Sequence, residues 1–304
     1  MKKIGMTWRL GLGMVLIYNY PAFSAEIDFE GLPEGAVVDE VSEGTGASGG
    51  LKGKVGVFGF NPLFGTGTNA AIIFDSSCPP GGVSSDCSGE DVDLGTPNQD
   101  FGGPGVGVAG QTGSPFQNDT ALGKLVIVAE DLVDAGGDGL VDDPDDADLR
   151  GQFVEFDFSN VQGSGRVTVN DLTYVDNDEG EFDAQVEFYG PGTLNPSVIG
   201  LTAVGDNGVN TITPGIEGVT HMRVVLNGSG AVEGATISEE VVRPCWVTTG
   251  GFDKGEIQRE DASGQKICTF GGNVGPTPSG ALEVNWHNTG NPLLDGSRFH
   301  TNDL

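Results

Sequence analysis

Short runs of β-branched and aromatic residues, each closed by Gly, Pro, Asn or Asp, set what this chain can fold into. Glycine takes 52 of the 304 positions and falls between the runs at no fixed period, so it punctuates rather than repeats. No window of about eleven residues carries apolar positions at helical spacing. The segments 27–30, 35–41, 53–59, 70–75, 124–130, 152–158, 165–174, 184–190, 209–213, 219–227 and 231–238 read as strands. In "HMRVVLNG", Met222, Val224 and Leu226 alternate with His221, Arg223 and Val225, which predicts one buried and one mostly wet face. Many short strands between turn signals predict an all-β fold: a two-sheet antiparallel β-sandwich, jelly-roll-like, with a small C-terminal β module.

The start, "MKKIGMTWRLGLGMVLIYNYPAFSAEID", reads as a secretory leader over residues 1–25. Lys2, Lys3 and Arg9 form its basic region, Leu10 to about Tyr18 its apolar run, and "AFSA" a small-residue cleavage site. The apolar run is too short to span a bilayer, so the mature chain is not expected to insert in a membrane. Residues 26–240 read as the main sandwich. After "SGAVEGATISEE" the composition changes, and 241–304 reads as the appended module. The predicted location is outside the cell or on its surface.

Lys and Arg number 14 against 44 Asp and Glu, a formal charge of -30. A field of that sign repels nucleic acid and anionic lipid and gathers cations, so a divalent ion is the favoured partner. The four cysteines suit an oxidising compartment. Cys78 with Cys87 and Cys245 with Cys268 is the simplest pairing among three connectivities. Without CxxC spacing or a His near the first pair, zinc is the poorer reading.

The stretch "DAGGDGLVDDPDD", residues 134–146, packs six Asp and three Gly around one Pro. Counted from Asp134, it places Asp138 at position 5, Gly139 at 6, Leu140 at 7, Asp142 at 9 and Asp145 at 12. A twelve-residue calcium loop draws oxygens from positions 1, 3, 5, 7, 9 and 12, with Gly at 6 for the sharp turn and a backbone carbonyl at 7. Asp134, Asp138, the Leu140 carbonyl, Asp142 and Asp145 are therefore the predicted calcium ligands. Gly136 brings no side-chain oxygen to position 3, and Asp145 is shorter than the usual Glu. The flanks "KLVIVAE" and "QFVEFDF" are strand-like, so the loop resembles the helix-free calcium loops of thrombospondin type 3 and dockerin-like repeats rather than an EF-hand. A solvated Asp/Gly turn is the alternative reading. Asp176, Asp178 and Glu179 in "YVDNDEGEFD" form a second candidate, and Glu90, Asp91 and Asp93 in "SGEDVDLG" carry a weaker signal. Asn207-Gly208 reads as a turn.

Nothing in the chain has the pattern of a catalytic centre. His occurs three times, and no GxSxG elbow, HExxH or P-loop is present. With so many acids, some pair lies at glycosidase spacing by chance, so a pair alone argues nothing. The reading is a protein that is not an enzyme. Residues 26–240 hold no Trp and only Tyr174 and Tyr189, which disfavours an aromatic sugar platform. Calcium-dependent carbohydrate binding, with hydroxyls on the ion, is the alternative to a structural or adhesive role.

The order of motifs "IDFEGLPEGAVV", "NAAIIFDSS", "DLGTPN", "GGPGVG", "LVIVAED", "VTVNDLTYVDNDEGE", "VGDNGVNT", "MRVVLNGSGAV" and "TFGGNVGPTPSGALEVNWHNTG" resembles exported bacterial proteins of the PEP-CTERM and choice-of-anchor type. The resemblance implies an extracellular β-sandwich in a surface or matrix role and leaves the ligand open; besides calcium, extracellular glycan or a matrix or surface protein is the expected partner class. It brings no catalytic residues. The final "HTNDL" departs from that pattern, lacking the apolar helix and basic tail of the sorting signal.

Overall fold

A computed structural model describes residues 24–77, 88–91, 93–97, 109–161, 165–177, 184–190 and 195–239, and in the tail the backbone of five short strands. Fourteen strands join one mixed sheet. They are β1 (Ser24–Ile27), β2 (Glu40–Glu43), β3 (Gly46–Ser48), β4 (Lys54–Phe60), β5 (Ala71–Asp75), β6 (Lys124–Val128) and β7 (Phe153–Asp157). The rest are β8 (Val167–Val175), β9 (Gln185–Tyr189), β10 (Ser197–Gly200), β11 (Val209–Ile212), β12 (Ile216–Val219), β13 (His221–Val225) and β14 (Ala231–Glu239). The path runs β10-β9-β13-β7-β4-β2-β3-β1-β14-β6-β5, and β8 pairs with β14, β11 and β12. The expected all-β class is present. The strands, however, are linked in a single curled sheet, and the short β2–β3 pair is parallel.

β14 is where this sheet divides. One of its edges pairs with β8 along its length. The other is shared: Ala231 and Val232 face β6, whereas Ala235 to Ser238 face β1. The division leaves β5 and β6 with apolar neighbours on both faces. Ile73, Val126 and Val128 join the larger core with Phe156, Val154, Met222 and Val224. Ile72, Phe74, Leu125 and Ile127 join a smaller core with Leu94, Val141 and Val175. That is why "AIIFD" and "KLVIV" read as continuous apolar runs while β7 and β13 alternate.

In β13, Met222 and Val224 are buried as the alternation predicts, and Arg223 turns out to lie between Glu155 and Glu187 on the neighbouring strands. Its guanidinium also sits 4.1 Å from the centre of the Phe153 ring. β1 takes in Ser24 and Ala25, the last two residues of the predicted leader, and Ala25 is buried opposite Ile237. In the tail, β15 (Gly255–Glu260) pairs with β16 (Lys266–Gly272). There too, β17 (Gly275–Pro276), β18 (Leu282–Asn285) and β19 (Arg298–His300) form a three-stranded sheet. Cys78, Cys87 and Cys245, and the side chain of Cys268, lie outside the described residues.

Candidate metal centre

The acidic stretch is an excursion from the end of β6, and its neck is tied by backbone bonds. The Glu130 amide donates to the Asp145 carbonyl at 2.9 Å, and the Ala147 amide to the Val128 carbonyl at 2.8 Å. Between them the chain is pinned to the fold at Val141. This residue is buried in the smaller core, and its amide donates to the Gly35 carbonyl at 2.8 Å. No side chain fits at Gly35: a Cβ there would stand 2.3 Å from the Val141 carbonyl oxygen.

The first half of the excursion is exposed and organised by its own carboxylates. Asp134 accepts the amides of Gly137, Asp138 and Gly139, Asp138 accepts that of Leu140, and Asp142 accepts that of Ala135. Asp134, Asp138 and Asp142 all approach the position a Cβ would take on Gly136, at 3.9–4.0 Å. Gly136, which contributes no ligand of its own, thereby leaves room for the three acids around it.

Asp145 belongs to a different group. Gly89, in the 3-10 turn Ser88–Glu90, packs so closely that a Cβ would come 2.2 Å from the Pro144 carbonyl oxygen. That approach sets Asp91 beside Asp145 and Asp146. One carboxylate oxygen from each of the three lies within 4.8 Å of the others. Among the described residues this is the one such set of three acidic, His or Cys ligands. Asp134, Asp138, Asp142 and Asp145 therefore do not converge that tightly, and the sequence register is split between an exposed loop and a partly buried cluster.

The electrostatics of the cluster are unfavourable without a cation. Burial, with repulsion from Asp93 and Asp145, pushes the Asp91 carboxyl up to about 6, against the pull of the Asp93 and Leu94 amides. Burial and the charges of Glu130 and Asp131 raise Asp145. Burial, then Asp91 and Asp176, raise Asp146 well above the usual carboxylate range, opposed by the Gly230 amide and the Ser229 hydroxyl. Elsewhere on the sheet, Lys54 pairs with Glu40, Lys124 with Asp75, and Arg223 with Glu155 and Glu187.

Asp176, of the second candidate set, is buried behind this cluster at positive φ. Its two oxygens accept the Asn207 amide at 2.6 Å and the Ser229 hydroxyl at 2.8 Å. Asp178 and Glu179 lie outside the described residues. Asn207 is more than a turn residue: fully buried, it donates to the carbonyls of Asp93 and Gly95 and accepts from Asn118, so it fastens the segment after Asp91 to the sheet. Asp91 was the weakest of the sequence signals. Its placement depends on the Gly89–Pro144 approach, which no local pattern announces.

An oxygen-only set of carboxylates suits a hard cation such as calcium, which takes six to eight oxygens, and suits zinc poorly. Asp91, Asp145 and Asp146 would supply the charge, with carbonyls and water completing the shell. A scan of protein-family models matched none to this chain, and a search of curated proteins gave no match either.

Proposed function

We propose that this is an exported, calcium-stabilised β-sandwich-type module with a structural or adhesive role at the cell surface, of the PEP-CTERM and choice-of-anchor kind. The burial of β5 and β6 on both faces supports the layered reading of the sheet. The observation that carries calcium is the meeting of Asp91, Asp145 and Asp146 from two distant segments, all three held above their ordinary pKa by burial and mutual repulsion. A divalent ion relieves that repulsion and ties the 88–91 turn to the neck of the acidic excursion. The exposed loop of Asp134, Asp138 and Asp142 is the secondary cation site.

Calcium at a hundredfold excess over its Kd stabilises the fold by about 2.7 kcal/mol. For a domain of this size that is a rise of roughly 5–10 °C in melting temperature. Melting curves in EDTA and in calcium check it. Asp145→Asn should lose the rise, whereas Asp138→Ala should keep most of it. A wild-type melting temperature indifferent to calcium would remove the metal from the proposal. A rise lost in Asp138→Ala but kept in Asp145→Asn would move the ion to the exposed loop.

A further inference from the structure

The excursion after β6 contains one strained peptide link, between Asp143 and Pro144. Asp143 has φ 45°, in the left-handed region that side chains other than glycine avoid. The proline that follows restricts it further, because a residue before proline is driven towards extended backbone with negative φ. Asp143 is thus held away from its preferred conformation on two counts. Such a residue persists only where its surroundings impose it.

Two anchors impose it here. Val141 is fixed against Gly35, with its amide on the Gly35 carbonyl and its own carbonyl oxygen 2.3 Å from where a Cβ on Gly35 would stand. Pro144 is buried, and its carbonyl oxygen lies 2.2 Å from the Cβ position of Gly89. Asp142 and Asp143 must join these points, and Asp142 is itself tied by its amide to the Val133 carbonyl. Beyond Pro144 the chain is held again, at the Asp145 carbonyl by Glu130 and at the bridge between Asp146 and Ala129. The distortion falls on Asp143.

Its side chain also differs from the other aspartates of the stretch. Asp134, Asp138 and Asp142 accept amides within the loop, Asp145 accepts that of Asp146, and Asp146 accepts that of Gly230. Asp143 is exposed, and its carboxylate accepts no hydrogen bond among the described residues. Asp143–Pro144 is also the one Asp–Pro pair in the chain.

We propose that the Asp143–Pro144 bond is a site of self-cleavage, with the Asp143 carboxyl as the nucleophile. One carboxyl oxygen adds to the Asp143 carbonyl carbon and closes a cyclic anhydride, an attack within one residue that carries little entropic cost. The bond from that carbon to the Pro144 nitrogen breaks. The nitrogen leaves as a secondary amine and takes the proton that the carboxyl gives up. Solvent water then opens the anhydride, which restores the side-chain carboxyl and leaves a second one as the new C-terminus. The sum is hydrolysis of one peptide bond with no change of oxidation state. The strain held between the two anchors is released as the bond to nitrogen lengthens, so the fold hastens a reaction that the sequence permits.

The cut does not part the molecule. β1 to β6 precede it and β7 to β14 follow it, and the ladders β4–β7, β1–β14 and β6–β14 cross between the two halves. Neither Asp143 nor Pro144 belongs to the set of Asp91, Asp145 and Asp146, and the chemistry needs no ion there.

The full chain, held in EDTA at one mildly acidic pH, tests this by intact mass and N-terminal sequencing after denaturation. Two fragments are expected, one ending at Asp143 and one beginning at Pro144, with masses that sum to the intact chain plus one water. The folded chain should cut about tenfold faster or more than the same chain unfolded by urea in that buffer, the factor that released backbone strain is worth. Asp143→Asn tolerates the left-handed backbone but removes the nucleophile, and should cut about tenfold more slowly or less. Pro144→Ala, which relaxes the link and removes the proline leaving group, should slow it too and serves if Asp143→Asn fails to fold. A rate in the folded chain equal to or below that in urea overturns the proposal, since it would be the ordinary lability of an Asp–Pro bond. So does a rate unchanged in both variants.

Discussion

Phe156→Ala should cost about 3–5 kcal/mol. Phe156 of β7 is fully buried, with Val57 of β4 opposite it on one side and Met222 of β13 on the other. Its ring centre lies 6.4 Å from that of Phe29, which is itself buried at positive φ. Truncation opens a cavity that neighbours on three strands cannot close, since each is held in register by the ladder. Urea unfolding reads the effect as a lower midpoint with an unchanged slope. Phe153 on the outer face is the control. It stacks on Phe60 at 5.0 Å and lies under Arg223, but it is only partly buried, so Phe153→Ala should cost clearly less. Equal losses at the two positions would mean that β7 is not the centre of the main core.

The strand in which Phe156 sits was plain in the sequence, because "QFVEFDF" alternates with period two and that period fixes which side chains face inward. The double-sided burial of "AIIFD" and "KLVIV" was legible as strand but not as position. β3, β10 and β12 carried no signal; "GAS" is three small residues whose parallel pairing with β2 depends on a turn back through Gly44 and Thr45. Residues 35–41, read as one strand, begin in a turn at Gly35, bend at Asp39 and are only intermittently paired. Val37 bridges to Ile72 and the Val38 amide reaches Ala71, and β2 proper begins at Glu40.

The sites divide in the same way. The calcium-loop register from Asp134 to Asp142 could be counted along the chain, since it depends on local spacing. The approach of Asp91 to Asp145 could not, because it depends on a glycine in one loop meeting a carbonyl in another. Nor could the bulge in β14, where Val232 stands opposite Tyr174 and Gly234 opposite Thr173 and Glu233 has no partner on β8, because an alternating pattern gives no warning of an extra residue. Non-local contacts between turns and bulges decide both clusters, and periodicity is blind to them.

Glu233→Gln should stabilise the protein at about pH 8 and change little at about pH 5. The Glu233 carboxyl is pushed up to about 7 in the folded chain from its ordinary 4.5. Between those values the folded state holds a proton that the unfolded state has released, so stability falls as pH rises through this window. Above it, the folded state carries an ionised carboxylate that is largely removed from water and repelled by Glu26, Asp28 and Asp171, a cost on the order of 2–3 kcal/mol. Glutamine keeps the shape and takes the charge away, so the cost disappears only where the wild type is ionised. Other titrating groups are common to both proteins and cancel in their difference. The comparison is made by urea unfolding at each pH. A difference between wild type and variant that stays constant from about pH 5 to 8 would show that Glu233 titrates as an ordinary surface carboxylate and that the bulge does not hold it against its neighbours.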